Sequence, residues 1–135
     1  MFQHDTTVRV LYADTDVMGV VYYGNYPKFY EIGRTEMIRS LGMPYADLER
    51  TGIIMPVRDM TCNYIKSAHY DQVLTIRTRI EEIPKARMKF FYEIYNENKE
   101  LVHTGETTLV FLDMKTNRPV RAPELLIKKL KPYFE

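Results

Sequence analysis

The stretch Asn25–Leu41 constrains the fold more than any other part of this chain. Tyr26, Phe29, Tyr30, Gly33, Met37 and Leu41 recur at three- and four-residue intervals, the spacing that lines one face of an α-helix. Pro27 suits a first helical turn, where its missing N–H costs nothing, and Gly42 followed by Pro44 stops the helix. A glycine inside a helix weakens it by up to about 1 kcal/mol relative to alanine. Gly33 stands on the apolar face, which predicts that the helix lies very close to the surface it packs against.

Most of the remaining chain reads as β-strand. Thr7–Tyr12 alternates as a short strand ahead of the helix, and Pro44–Arg50 reads as a short second helix. Ile53–Ile65 follows, with Pro56 tolerable at an edge or a bulge, then Val73–Ile80, Met88–Asn96 and Leu101–Leu112. Leu74, Ile76 and Ile80 share one face of their strand, with Arg77 and Arg79 on the other. Phe90, Phe91, Tyr92 and Tyr95 read as core and interface, and Asn96–Lys99 as the turn of a hairpin. A last amphipathic helix, Pro123–Leu130, sets Leu125, Leu126 and Leu130 opposite its lysines. One strand, a long helix and four strands in meander order predict a single α+β domain over 1–135, an antiparallel sheet wrapped round a central helix. One helix covers only part of such a sheet, and open sheet edges invite another chain. A homo-oligomer is therefore expected, a dimer with a shared sheet or a tetramer of such dimers.

Composition excludes several partners. Lys plus Arg number 19 against 18 for Asp plus Glu, which leaves no electrostatic reason to expect nucleic acid or a membrane surface. The apolar runs are far shorter than the ~20 residues needed to span a bilayer, and Met1–Thr7 is too polar for a secretory signal. The single cysteine, Cys62, fits a reducing cytoplasm and lies in a strand-like run. His4, His69 and His103 share no ligand spacing with Cys or acidic residues, so no metal site is expected. Nucleophile-elbow, Walker and dinucleotide motifs are absent from the sequence.

The chemistry concentrates in Asp14–Gly24, a loop that runs directly into the long helix. The first N–H groups of a helix lack intrahelical partners and, with the macrodipole, favour negative charge on an oxygen. Asp16 facing such a place supplies a base or nucleophile on one side of an activated acyl group and an oxyanion site on the other. Asp14, two residues away, is read as facing the opposite way and holding the loop.

The run Tyr12–Tyr26, with Phe29-Tyr30-Glu31, Arg34-Thr35-Glu36 and His69–Ile76, resembles the 4-hydroxybenzoyl-CoA thioesterase family of the hotdog fold. The resemblance covers most of the chain. It implies a five-stranded antiparallel sheet around one helix, no metal or cofactor, and an acyl-CoA substrate bound at a subunit interface. It also implies Asp16 as the catalytic aspartate, Tyr23 at a position beside the thioester where His is commoner, and Gly24 as the backbone N–H donor to the thioester carbonyl. Asn25 is expected in the pocket. Lys85 and Arg87, in the turn between two strands, are expected at the CoA phosphates, with Arg118 and Arg121 as second choices. The activity implied is hydrolysis of acyl-CoA to a free acid and CoA. The alternatives are acyl-carrier-protein thioesters as substrates, or a non-catalytic acyl-CoA-binding hotdog module.

Overall fold

A computed structural model describes residues 1–135. Its main sheet is five-stranded and antiparallel, in the order β1 (Phe2–Arg9), β4 (Val73–Ile80), β5 (Arg87–Tyr95), β6 (Leu101–Val110), β3 (Val57–Tyr64). The long helix α1 (Tyr26–Ser40) lies across the inner face. A short helix α2 (Tyr45–Glu49) follows it, and a two-residue strand β2 (Ile53–Ile54) pairs with β7 (Leu112–Asp113). The chain ends on α3 (Glu124–Leu130).

The helix carries the inward face its periodicity predicts, with Tyr26, Phe29, Tyr30, Gly33 and Met37 all buried and Ile38 added to them. Gly33 sits where the helix approaches β4 closely. A Cβ there would stand 2.5 Å from Thr78 Oγ1 and 2.8 Å from Ile76 Cγ2 of β4. Gly42 adopts φ +77° just past the helix, the left-handed conformation glycine takes without strain. On β4 the burial alternates as expected, with Leu74, Ile76, Thr78 and Ile80 inward and Arg77 and Arg79 outward. The Asn96–Lys99 hairpin also forms, closed by Asn96 N–H to Glu100 O at 3.0 Å.

Four expectations need correction. The first strand runs from Phe2 to Arg9 rather than over Thr7–Tyr12, and Tyr12–Asp14 is a 3-10 turn. Its inward positions include His4 and Thr6, so hydropathy alternation does not mark it. The Ile53–Ile65 run breaks at Pro56 into β2 and β3. Above all, the four later strands are not a meander: β3 pairs with β6 at one edge, and β4 lies between β1 and β5. The link Ile65–Gln72 therefore crosses from one edge of the sheet toward the other. On the way it meets the loop ahead of α1, through Val21 N–H to Ala68 O at 2.8 Å and Tyr70 N–H to Gly19 O at 3.1 Å. A smaller correction concerns α3, where Leu126 and Leu130 are buried but Leu125 is exposed.

Candidate active site

The loop between β1 and α1 is a tight hydrogen-bonded structure. Asp16 N–H donates to Val20 O at 2.9 Å, Gly19 N–H to Asp16 O at 3.1 Å, and Thr15 bridges Val21. Gly19 has φ +78°, which closes this turn. One carboxylate oxygen of Asp16 accepts the Met18 N–H at 2.8 Å, so the carboxylate is oriented by its own loop. The side chain lines an open cavity of about 320 Å³ with Tyr23, Tyr26, Tyr64, Lys66 and Ser67, among others.

Asp14 has a different environment, as its reading from sequence requires. It is only 2% exposed. Its carboxylate accepts the Leu11 N–H at 2.8 Å and pairs with Lys28 in the first turns of α1. Its backbone oxygen accepts Tyr22 N–H at 2.9 Å and the Asn25 side-chain amide at 2.8 Å. These four contacts fasten the Asp16 loop to the start of the helix. Asn25 thus spends one amide hydrogen on the loop. A burial of this kind needs every charge and polar group matched, and here they are.

Tyr23, Gly24 and Asn25 form a 3-10 turn that leads straight into α1. Asn25 N–H donates to Tyr22 O at 2.9 Å, which leaves the N–H groups of Tyr23 and Gly24 ahead of the helical ladder. Gly24 is exposed on this turn, beside the cavity lining rather than part of it. A Cβ on it would lie 2.6 Å from the Tyr22 ring, so glycine lets that ring lie over the turn. Tyr23 is held from the far side, where the Tyr64 hydroxyl donates to its backbone oxygen at 3.0 Å.

The crossover link supplies a wall that sequence reading missed. Ile65, Lys66 and Ser67 reach the Asp16 cavity only because β3 sits at the far edge and the chain must return. Lys66 is paired there with Glu100, whose carboxyl is held below its ordinary value chiefly by that lysine. No local signal distinguishes these residues. Lys85 and Arg87 line a second cavity of about 410 Å³ between β4 and β5. Ala122 N–H donates to Lys85 O at 2.7 Å, which brings the neighbour of Arg121 to this turn. Arg118 stands exposed in the turn after β7 and lines neither cavity.

A profile of the Thioesterase-like superfamily matches residues 10–130. The chain belongs to this superfamily. The thioesterase is 35% identical over 114 residues to the putative acyl-CoA thioesterase YneP of Bacillus subtilis, which covers 84% of this chain and 83% of that one. It is 34% identical over 124 residues to the acyl-CoA thioester hydrolase YbgC of Escherichia coli, covering 92% of each. The crystal structure of a DHNA-CoA thioesterase from Staphylococcus aureus superposes with a TM-score of 0.85 at 40% identity, over 99% of this chain and 85% of that one. The five strands around α1 are therefore a hotdog fold, and the protein is an enzyme of the thioesterase class.

Proposed function

We propose that this thioesterase, a single hotdog unit over 1–135, hydrolyses acyl-CoA to a free carboxylic acid and CoA, with Asp16 as the acting carboxylate. The observation that carries the reading is that Asp16 and Tyr23 line one cavity at the N-terminal end of α1. The thioester carbonyl oxygen gathers negative charge as the carbonyl carbon is attacked. The N–H groups of Tyr23 and Gly24, ahead of the ladder, are the donors that meet it, and losing one such donor typically costs about 10²–10³ in rate. Asp16 acts in one of two ways. Its carboxylate adds to the carbonyl carbon and expels the CoA thiolate, leaving a mixed anhydride that water opens. Alternatively it takes a proton from a water molecule that adds directly, with the same thiolate leaving. The fixed carboxylate orientation serves either route.

Lys85 and Arg87 are assigned to the CoA phosphates, since both cations line the cavity between β4 and β5. Arg118 is the second choice for the phosphates, and Asn25, at the start of α1, is assigned to the acyl pocket beside Tyr23. The ring edges of Tyr23, Tyr26 and Tyr64 at the first cavity suit a planar acyl group. The 40% identity to a DHNA-CoA thioesterase points the same way. We place the reaction in the cytoplasm, in keeping with one unpaired cysteine; no helix is long and apolar enough to cross a membrane. We assign a homodimer, or a tetramer of dimers, on the exposure of β3: Val57, Met60 and Tyr64 lie open on an edge strand with no partner on its outer side.

The test is thiol release from a panel of CoA thioesters, from short aliphatic through long-chain to benzoyl and naphthoyl types, with Asp16→Asn alongside. The expected result is turnover of aromatic members that disappears in the variant. Turnover only of acyl-carrier-protein thioesters would redirect the substrate. CoA affinity without any turnover would make the protein a binding module. Sedimentation of the wild type tests the oligomer, which a charged substitution at Met60 should dissociate.

A further inference from the structure

Beneath the cavity lies a buried polar group that the chemistry above does not use. His103, on β6, has no exposed surface. Its ring stacks on Tyr26 at 4.0 Å and 10°, and meets the edge of Tyr64 at 4.9 Å. Its Nε2 faces the hydroxyl of Tyr30, one turn along α1, and its Nδ1 has no partner. A proton on Nδ1 would be a buried donor with nowhere to go, so the proton sits on Nε2 and is donated to Tyr30 Oη. That leaves the Tyr30 hydroxyl to donate to Thr61 O of β3 at 3.1 Å, with Cys62 Sγ at 3.3 Å beside it. Room for this hydroxyl is made by Gly105, where a Cβ would stand 1.8 Å from it.

We propose that His103 and Tyr30 are a positioning pair that sets the register of α1 along its own axis, and with it the placement of the oxyanion donors, and of the Asp16 loop fastened to them, against the cavity wall formed by Tyr64 and Ile65–Ser67. The inference rests on the catalytic reading given above. Apolar contacts resist separation but permit sliding, whereas a hydrogen bond is directional and holds one register. The pair ties α1 to β6 and β3 at once. Tyr26, on the same helical face, lines the Asp16 cavity, and Tyr64 of β3 holds the backbone of Tyr23. A helix displaced along its axis moves the donors away from the reacting carbonyl. Displacement of that order costs up to about 10² in rate without touching substrate affinity.

The experiment measures kcat, KM and Tm for Tyr30→Phe, His103→Phe and the double variant, with Asp16→Asn in parallel. Tyr30→Phe keeps the ring that stacks on Tyr92 at 4.2 Å, and His103→Phe keeps a ring over Tyr26. The expected result is kcat lowered about tenfold in Tyr30→Phe with KM within about twofold. Tm falls in Tyr30→Phe because His103 loses its acceptor, and largely recovers in the double variant, where no ring N–H is left buried without a partner. The kcat stays low in that double variant. Wild-type kcat in Tyr30→Phe, or kcat recovering together with Tm in the double variant, would overturn the pair's role and leave Asp16 untouched. If the single variants do not fold, the double variant alone decides by its kcat. Full activity in Asp16→Asn would instead remove the catalytic reading beneath the inference.

Discussion

The two halves of α1 lie in unlike surroundings. From Gly33 onward the helix is pressed into the sheet, with Met37 and Ile38 without exposed surface and no room for a Cβ at Gly33. At its start buried rings pack as well, but polar contacts are added to them: Asp14 to Lys28 and Asn25, and Tyr30 to His103 and Thr61. The surface around that start is open and apolar, with Tyr12, Met18, Tyr23 and Tyr64 all more than half exposed. The strands show the same contrast. On β4 every second residue is buried, while seven of the eight residues of β3 are exposed. Dry packing secures the fold at one end. Directional contacts and uncovered rings at the other hold the Asp16 carboxylate beside an open cavity.

The largest expected effect is at Asp16. Asp16→Asn should lower kcat by about 10²–10⁴ with Tm unchanged, because asparagine still accepts the Met18 N–H. A large loss of Tm would mean that the open end also carries stability, and the contrast would fail. Gly33→Val is the mirror experiment. Its branched side chain meets Thr78 and Ile76, and such overpacking typically costs about 1–3 kcal/mol. Denaturant unfolding should show this loss, while the kcat of the remaining folded fraction stays near normal.

Acid sharpens the comparison next. Burial lowers the His103 pKa from 6.5 to about 4. The unfolded chain takes up this proton near 6.5 and the folded chain only near 4, so folded stability is full above 6.5 and is lost as pH falls through that window. The loss amounts to up to about 3 kcal/mol. Urea midpoints between pH 7 and 4.5 should fall more steeply for the wild type than for His103→Phe. The smallest effect is at Lys28, which is about half exposed. Lys28→Met leaves the buried Asp14 carboxylate with the Leu11 N–H alone and should cost about 1 kcal/mol, a few degrees of Tm, with a few-fold drop in kcat.

Much of the scaffold was legible because it is periodic. The inward face of α1, the alternation of β4 and the Asn96–Lys99 hairpin each depend on residues within a few positions of one another. The Asp16 motif was legible for the same reason, a carboxylate and a helix start standing ten residues apart in one segment. The first strand escaped notice because His4 and Thr6 occupy its inward positions, where an edge strand tolerates polar side chains.

Strand partnership was beyond such reading. Nothing local in Val57–Tyr64 states that it joins β6 rather than β4, since pairing is settled by which arrangement buries the most surface across the whole sheet. That decision alone carries Ile65–Ser67 to the Asp16 cavity and brings His103 and Thr61 to Tyr30 across long separations in the chain. By itself the sequence determined the helix, its buried face and a carboxylate poised before it. The tertiary structure decided the far wall of the cavity and the contacts that hold the helix in place, because both arise from residues that meet only once the sheet has formed.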